Sequence, residues 1–168
     1  MPRLTSFHPY ATRWAIAVAL IACFSLAGQV RATGAGRQWV AQGDAGASLL
    51  IYGTPETDDV LLSLACDHST KALTVWYVVE PIHAKDPESL AINMRSQAGT
   101  VALVGKGSRS ELDNAYSLEV ATEFTPELEK VLSGAKALSI LVEDRAVEIP
   151  MDGTTQDGIA LLKKGCGK

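Results

Sequence analysis

Few of the side chains that could do chemistry lie close together in this sequence. Cys66, Asp67 and His68 are consecutive, so they could act as metal ligands or place a thiol beside a base. Successive residues of a strand point to opposite faces of a sheet, so these three side chains are not expected to share one site. A strand that ends near Cys66 and a turn that follows it are predicted instead. His83 lies in a proline-flanked loop, where a solvated side chain is expected and a weak metal site is the alternative. No metal ligand is therefore predicted.

Two further segments resemble fragments of ligand-binding motifs. Segment 53–59 (GTPETDD) is acidic and could bind calcium, but its spacing is not that of a D-x-D-x-D-G loop, so a turn is predicted. Segment 105–108 (GKGS) lacks the full G-x-x-x-x-G-K-[ST] pattern of a phosphate loop and is also predicted to be a turn. The sequence contains no G-x-S-x-G, H-E-x-x-H or C-x-x-C motif. No catalytic residue and no cofactor are therefore predicted, and the protein is expected not to be an enzyme.

The first 32 residues differ from the rest of the chain. Two arginines precede a run of fifteen uncharged residues at 14–28 (WAIAVALIACFSLAG), and no acidic residue occurs before Asp44. A basic start, an apolar run and a small-x-small ending (VRA at 30–32) are typical of a secretory signal peptide. We therefore expect residues 1–32 to be removed by cleavage between Ala32 and Thr33.

Two alternatives to this cleavage stay open. Segment 20–23 (LIAC) fits a lipoprotein box in which Cys23 becomes the lipidated N-terminus, although the apolar run continues past it from Phe24. An uncleaved membrane anchor would need about 20 apolar residues, more than this run offers. The protein is therefore predicted to be periplasmic or secreted, with a lipoprotein as the alternative. Membrane contact is expected only through the leader or a lipid on Cys23.

Removal of the leader changes the charge of the protein. The whole chain has 15 basic and 19 acidic residues. The leader holds three arginines and no acidic residue, so the remaining 12 basic and 19 acidic residues give a formal net charge of −7. Such a domain repels phosphate backbones, so nucleic acid is not an expected partner. The expected partner is an unidentified protein of the cell envelope.

Removal of the leader also changes the cysteine count. Cys23 leaves with it, so Cys66 and Cys166 remain. Two cysteines in an oxidising compartment most often form one bridge, and two free thiols are the alternative. The bridge would close a loop of about 100 residues and stabilise the domain by roughly 4–5 kcal/mol. That is a large share of a total stability of about 5–15 kcal/mol.

Alternating apolar and polar residues dominate the chain after a flexible lead-in at 33–37. The alternation predicts strands at 39–42, 47–52, 60–66, 72–79, 90–95, 100–104, 116–121, 137–142 and 146–149. The predicted fold is a single, mainly β domain at 38–168: an antiparallel β-sandwich or half-open barrel with two short helices and one disulfide.

The two helices are predicted from their capping signals. Thr125 is a plausible N-cap, and Pro126 fits the first helical position. The second helix is predicted to start near Thr154, with Asp157 three residues later as a variant of the capping box. Helical spacing then places Cys166 on the same side of the helix as the apolar stripe. Cys166 is therefore expected to face the sheet.

The C-terminal part of the chain resembles a known family. A short helix at 125–136 leads into a hairpin ending in IPM at 149–151, then GIALL at 158–162 and a near-terminal Cys166. This layout, with Trp39 shortly after the leader, resembles the invasion-associated locus B family of exported alphaproteobacterial proteins. The chain departs from that pattern because no cysteine follows Trp39 closely. The resemblance implies a periplasmic or surface β-domain in envelope or host-interaction roles, without established chemistry or transferable binding residues.

Three hypotheses about function follow. The first is a non-enzymatic envelope protein that acts through its surface as a binding or structural accessory. The second is a small secreted inhibitor of an envelope or host hydrolase, which predicts a rigid exposed loop such as 53–59. The third is a hydrolase with a dispersed site, which requires His68 or His83 in a concave pocket beside a nucleophile.

Overall fold

The computed structural model describes residues 36–79, 89–111, 115–134 and 136–167. The predictions for the signal peptide, its cleavage between Ala32 and Thr33, lipidation of Cys23 and the loop around His83 lie outside these residues. The described strands are β1 (Gln38–Gly43), β2 (Ala47–Gly53), β3 (Val60–Asp67), β4 (Leu73–Val79), β5 (Ser89–Ser96), β6 (Gly99–Arg109), β7 (Tyr116–Thr122), β8 (Ala137–Val142) and β9 (Arg145–Pro150). The described helices are α1 (Pro126–Ser133) and α2 (Gly153–Cys166).

The strands form one antiparallel sheet in the order β1-β2-β3-β4-β7-β6-β5-β8-β9, which curls into a half-barrel. This confirms the mainly β fold class, and the half-open barrel is the form that the sheet takes. The two outermost strands are joined by a side chain, because the indole N–H of Trp39 on β1 donates to the carbonyl of Pro150 on β9 at 2.6 Å. This side-chain bond connects the two edge strands of the sheet.

The inner face of the sheet forms the core. Along β4 every second residue from Leu73 to Val79 is buried, as period-2 alternation predicts. The largest fully buried side chains are Tyr52, Tyr77 and Tyr116. Trp39 packs on Tyr52, its direct cross-strand partner, with ring centroids 5.1 Å apart. The aromatic residues therefore contribute mainly to cross-strand packing.

Helix α1 begins as its sequence predicts. Thr125 is the N-cap, and its hydroxyl accepts a hydrogen bond from the N–H of Leu128 at 3.2 Å. Pro126 occupies the first turn, where a missing N–H removes no helical bond. The apolar stripe of this helix, which includes Leu132, is buried.

Helix α2 begins earlier than predicted. The N-cap is Asp152, whose carboxylate accepts from the N–H of Thr155 while the Thr155 hydroxyl accepts from the N–H of Asp152, both at 3.1 Å. The predicted start near Thr154 is one residue from the observed start, but the predicted capping pair of Thr154 and Asp157 was wrong. Aspartate is a better hydrogen-bond acceptor than threonine at the N-cap. The Thr155 hydroxyl accepts from the N–H of the N-cap residue, a role that a glutamate side chain usually has.

Strand β6 corrects a second prediction. Segment 105–108 is not a turn, because β6 runs through it to Arg109 and pairs with β7. Gly105 and Gly107 lie on the inner face, where a Cβ at Gly105 would come within 2.7 Å of the Glu119 carbonyl and one at Gly107 would overlap the Tyr116 ring. Glycine is required here by close packing inside a strand, not by a turn.

The disulfide joins the last residue of α2 to the sheet. Cys66 on β3 and Cys166 are bonded, with Cα atoms 5.9 Å apart and a sequence separation of 100. Both cysteines are buried. The predicted bridge is confirmed, and it indicates a location outside the reducing cytosol. Among the described helices, none has the length and apolar character needed to cross a membrane.

Candidate functional site

A cleft of about 360 Å³ opens where the end of α2 meets two turns of the sheet. It combines residues from the β1–β2 turn, the start of β2, the β3–β4 turn and the last two turns of α2. Its lining residues are Gly43, Asp44, Ala45, Ser48, His68, Lys71, Leu161, Lys164 and Gly165. The volume lies within the range of small-molecule sites.

The turn between β3 and β4 carries His68 and Lys71 into the cleft. Asp67 orders this turn by accepting hydrogen bonds from the hydroxyl and the N–H of Ser69, at 2.6 and 2.7 Å. These bonds hold the pKa of the Asp67 carboxyl below its usual range. Lys71 closes the turn with φ near +59°, and its ammonium donates to the Gly165 carbonyl at 2.8 Å. The turn is thereby attached to the C-terminal end of α2.

Ser48 and His68 form a direct hydrogen bond at the wall of the cleft. The Ser48 Oγ lies 2.8 Å from Nε2 of His68 and 3.2 Å from the carbonyl of Leu161 on α2. The other ring nitrogen, Nδ1, lies 3.3 Å from the carbonyl of Ala45. Ser48 is buried with 2% of its surface exposed, and His68 is half-buried. One histidine therefore connects the β1–β2 turn and β2, and Ser48 connects β2 to α2.

Gly165 makes room for the His68 ring. A Cβ at this position would overlap the imidazole and would lie 2.8 Å from Sγ of Cys66. Real Cβ atoms do not approach other atoms this closely, so any side chain here would displace His68 or the helix end. The imidazole thus packs against bare backbone beside the disulfide.

The charges around the cleft are mixed. The N–H groups of Gly46 and Ala47 donate to the Asp44 carboxylate at 2.7 and 2.8 Å, which keeps the pKa of that carboxyl below its usual range. Asp44 is therefore ionised near neutral pH and lies close enough to His68 to interact electrostatically. The exposed side chains of Lys71 and Lys164 add two positive charges to the lining.

The acidic loop 53–59 is tied to the sheet. The Arg37 guanidinium donates to both oxygens of Asp59, at 2.7 and 3.1 Å, and this bond holds the pKa of Asp59 below its usual range. Thr54 donates from its hydroxyl to the same carboxylate at 2.7 Å. Glu56 stands exposed at the tip with φ near +60°. The loop is hydrogen-bonded as a turn, with Asp59 engaged by a cation of the chain itself.

A second surface feature lies on the outer face of the sheet. Among the described residues, the large hydrophobic side chains that stand exposed are Val104 on β6, at 67%, and Leu141 on β8, at 37%. The register pairs Val104 with Ala91 and Leu141 with Asn93, and these two partners lie on the same side of β5. Ala91, Ala102 and Ala146 lie beside these hydrophobic side chains, and the charged residues Lys106, Arg95 and Glu148 lie two positions further along the same strands. We call this surface the outer patch: Ala91, Asn93, Ala102, Val104, Leu141 and Ala146.

The site could be predicted from the sequence only in part. His68 was considered with Cys66, and the structure places them side by side but binds the cysteine in the disulfide. Ser48 was missed, although a polar residue in phase with Leu50 and Tyr52 on the buried face of β2 was a usable signal. In the described parts of the chain, no cluster of three or more potential metal ligands occurs.

Comparison with other proteins provides no family assignment. The sequence matches no profile of a known protein family, and no significant match is found among curated proteins or solved structures.

Proposed function

We propose that the protein is an exported binding module of the bacterial cell envelope, and that the outer patch is its binding surface. The observation that carries the proposal is that Val104 and Leu141, both exposed, lie two strands apart on one face of the sheet, with exposed alanines beside them. Exposed apolar side chains grouped on one face can mark an interaction site. The periplasmic location rests on the predicted leader and on the disulfide.

The chemistry of the outer patch favours a protein as the partner. Its alanines present a level surface that a helix or sheet of a partner can approach closely, with Val104 and Leu141 as the larger contacts. Two exposed hydrophobic side chains offer little area for insertion into lipid, and the acidic domain is repelled by anionic lipid surfaces. The partner is therefore expected to present an apolar protein surface of similar size.

Charge substitutions in the outer patch test this proposal. Val104→Asp and Leu141→Asp are each expected to weaken capture of the partner from envelope extract by at least about tenfold, since an unpaired charge would be buried at the interface. The measurement is quantitative mass spectrometry of proteins retained on the immobilised mature domain. Gln42→Asp is the matched control, because it adds the same charge at an exposed position of β1 outside the patch.

The same experiment separates the proposal from the inhibitor hypothesis, which the hydrogen-bonded loop 53–59 supports. Glu56→Ala changes the exposed tip of that loop and leaves the Arg37–Asp59 pair intact. Loss of capture with Glu56→Ala, combined with full capture by both patch variants, would show that the loop binds the partner and the outer patch does not. Capture of only a second copy of the chain, or of lipid vesicles, would also contradict the proposed partner.

A further inference from the structure

We propose that Ser48 and His68 form a nucleophile and general base that accept an acyl group from small esters carrying a negative charge. This goes beyond the binding function of the outer patch, which lies on the other face of the sheet from Ser48. The starting observation is the 2.8 Å bond between the Ser48 hydroxyl and Nε2 of His68 in the wall of a cleft. A nucleophile bonded to a base that is itself oriented by a third group is the pattern of covalent catalysis by serine.

The third group here is a backbone carbonyl. The Ala45 oxygen can only accept, so the 3.3 Å contact to Nδ1 of His68 requires the hydrogen on Nδ1. In the neutral ring Nε2 is then unprotonated and can accept the hydrogen of the Ser48 hydroxyl, which can also donate to the Leu161 carbonyl at 3.2 Å. This is the tautomer that a general base needs, and it is selected by the backbone of the β1–β2 turn.

The site also accommodates the protonated ring. When Nε2 carries a hydrogen, it donates to Ser48 Oγ, and the Ser48 hydroxyl can turn to the Leu161 carbonyl at 3.2 Å. Every polar hydrogen of the pair keeps an acceptor in both states, so proton uptake leaves no buried donor unpaired. The ionised Asp44 carboxylate lies near His68 in the lining of the cleft.

The chemical step is acyl transfer in two stages. Nε2 of His68 takes the hydroxyl proton as Ser48 Oγ forms a bond to the ester carbonyl carbon. The alkoxide then leaves as the carbon–oxygen bond breaks, and it takes the proton from Nε2, which yields an alcohol and acyl-Ser48. Water, deprotonated by the same nitrogen, attacks the acyl carbon and releases the acid, which restores both side chains.

The lining of the cleft indicates the class of ester. The volume of about 360 Å³ accepts a small molecule and excludes a folded polypeptide. Lys71 and Lys164 lie at the rim, and Lys71 is held there by its bond to Gly165. Their positive charge favours an ester that carries a carboxylate on its acyl or alcohol part.

A fluorophosphonate probe tests the nucleophile. The probe forms a bond to an activated serine oxygen and releases fluoride, so the wild-type protein is expected to gain one adduct that tandem mass spectrometry places on Ser48. Ser48→Ala should abolish the adduct, and His68→Gln, which keeps a polar side chain for Ser48, should slow labelling by about 100-fold or more. Ser63→Ala is the control, because Ser63 is a half-buried serine of the same sheet on its outer face.

The outcomes decide the proposal directly. No adduct on folded wild-type protein, an adduct on another serine, or an unchanged labelling rate in a folded His68→Gln variant would overturn it. The substrate class is tested by hydrolysis of 4-nitrophenyl acetate and of the 4-nitrophenyl monoester of succinic acid. We expect a lower KM for the charged ester. We expect Lys164→Glu to reduce the ratio of the two KM values at least about tenfold. Equal KM values for the two esters would reject the anionic class.

Discussion

Replacing Cys66 and Cys166 together by alanine is expected to lower the free energy of unfolding by about 4–5 kcal/mol. The bridge closes a loop of 100 residues, so it removes a large amount of conformational freedom from the unfolded chain. It also attaches the last residue of α2, where other polar contacts of the helix end are single bonds from Ser48, from Lys71 and between Lys163 and Glu129. Since domains of this size are stable by about 5–15 kcal/mol, the variant should be marginally folded.

Denaturant unfolding followed by circular dichroism measures this loss. The wild-type protein provides an internal control, because a reductant that reaches the bridge should reproduce the loss and should leave the double variant unaffected. The cleft should also open, since Gly165 and His68 pack beside the bridge. A decrease below about 1 kcal/mol would show that packing of α2 alone holds the C-terminus, contrary to the large value expected from loop closure.

Gly107→Ala is expected to cost about 3 kcal/mol, at the upper end of overpacking effects. The added Cβ would overlap the buried ring of Tyr116 on the neighbouring strand, in a core that is packed too densely to yield. Gly153→Ala is the matched control, since a Cβ at the first position of α2 meets no atom within 4 Å. That change should be neutral or slightly stabilising.

The measurement is the shift in midpoint of denaturant unfolding for both glycine variants. A double-mutant cycle with Tyr116→Ala attributes the cost, because Gly107→Ala should be much less destabilising once the ring is absent. A cost below about 0.5 kcal/mol for Gly107→Ala alone would mean that β6 is displaced from β7 at this point. The assignment of segment 105–108 to a strand would then be in doubt.

The strands were largely predictable because one face of the sheet is buried. Alternation alone placed β2, β7 and β8 within about two residues of their observed ends, since a residue on the wrong face would bury a polar group. Strand β6 was predicted too short for a physical reason. Gly105 and Gly107 are glycines because residues of β7 approach them too closely for a side chain. The sequence does not show which residues make this approach.

The disulfide and the cleft differ in what the sequence could show. With Cys23 in the predicted leader, two cysteines allow one pairing, so Cys66–Cys166 followed from counting. The contact between Ser48 and His68 depends instead on how β2, the β3–β4 turn and α2 converge, and 20 residues separate the two side chains in sequence. No local pattern encodes such convergence. The phase of Ser48 on the buried face of β2 was the single local signal, and it does not name a partner.

The most direct test of this account is the intact mass of the protein recovered from the envelope of bacteria that produce the full chain, after alkylation without reduction. We expect a polypeptide that begins at Thr33, carries no alkyl group and lacks two hydrogens relative to its reduced form. Alkylation of Cys66 and Cys166, a lipid on Cys23, or retention of residues 1–32 would contradict it.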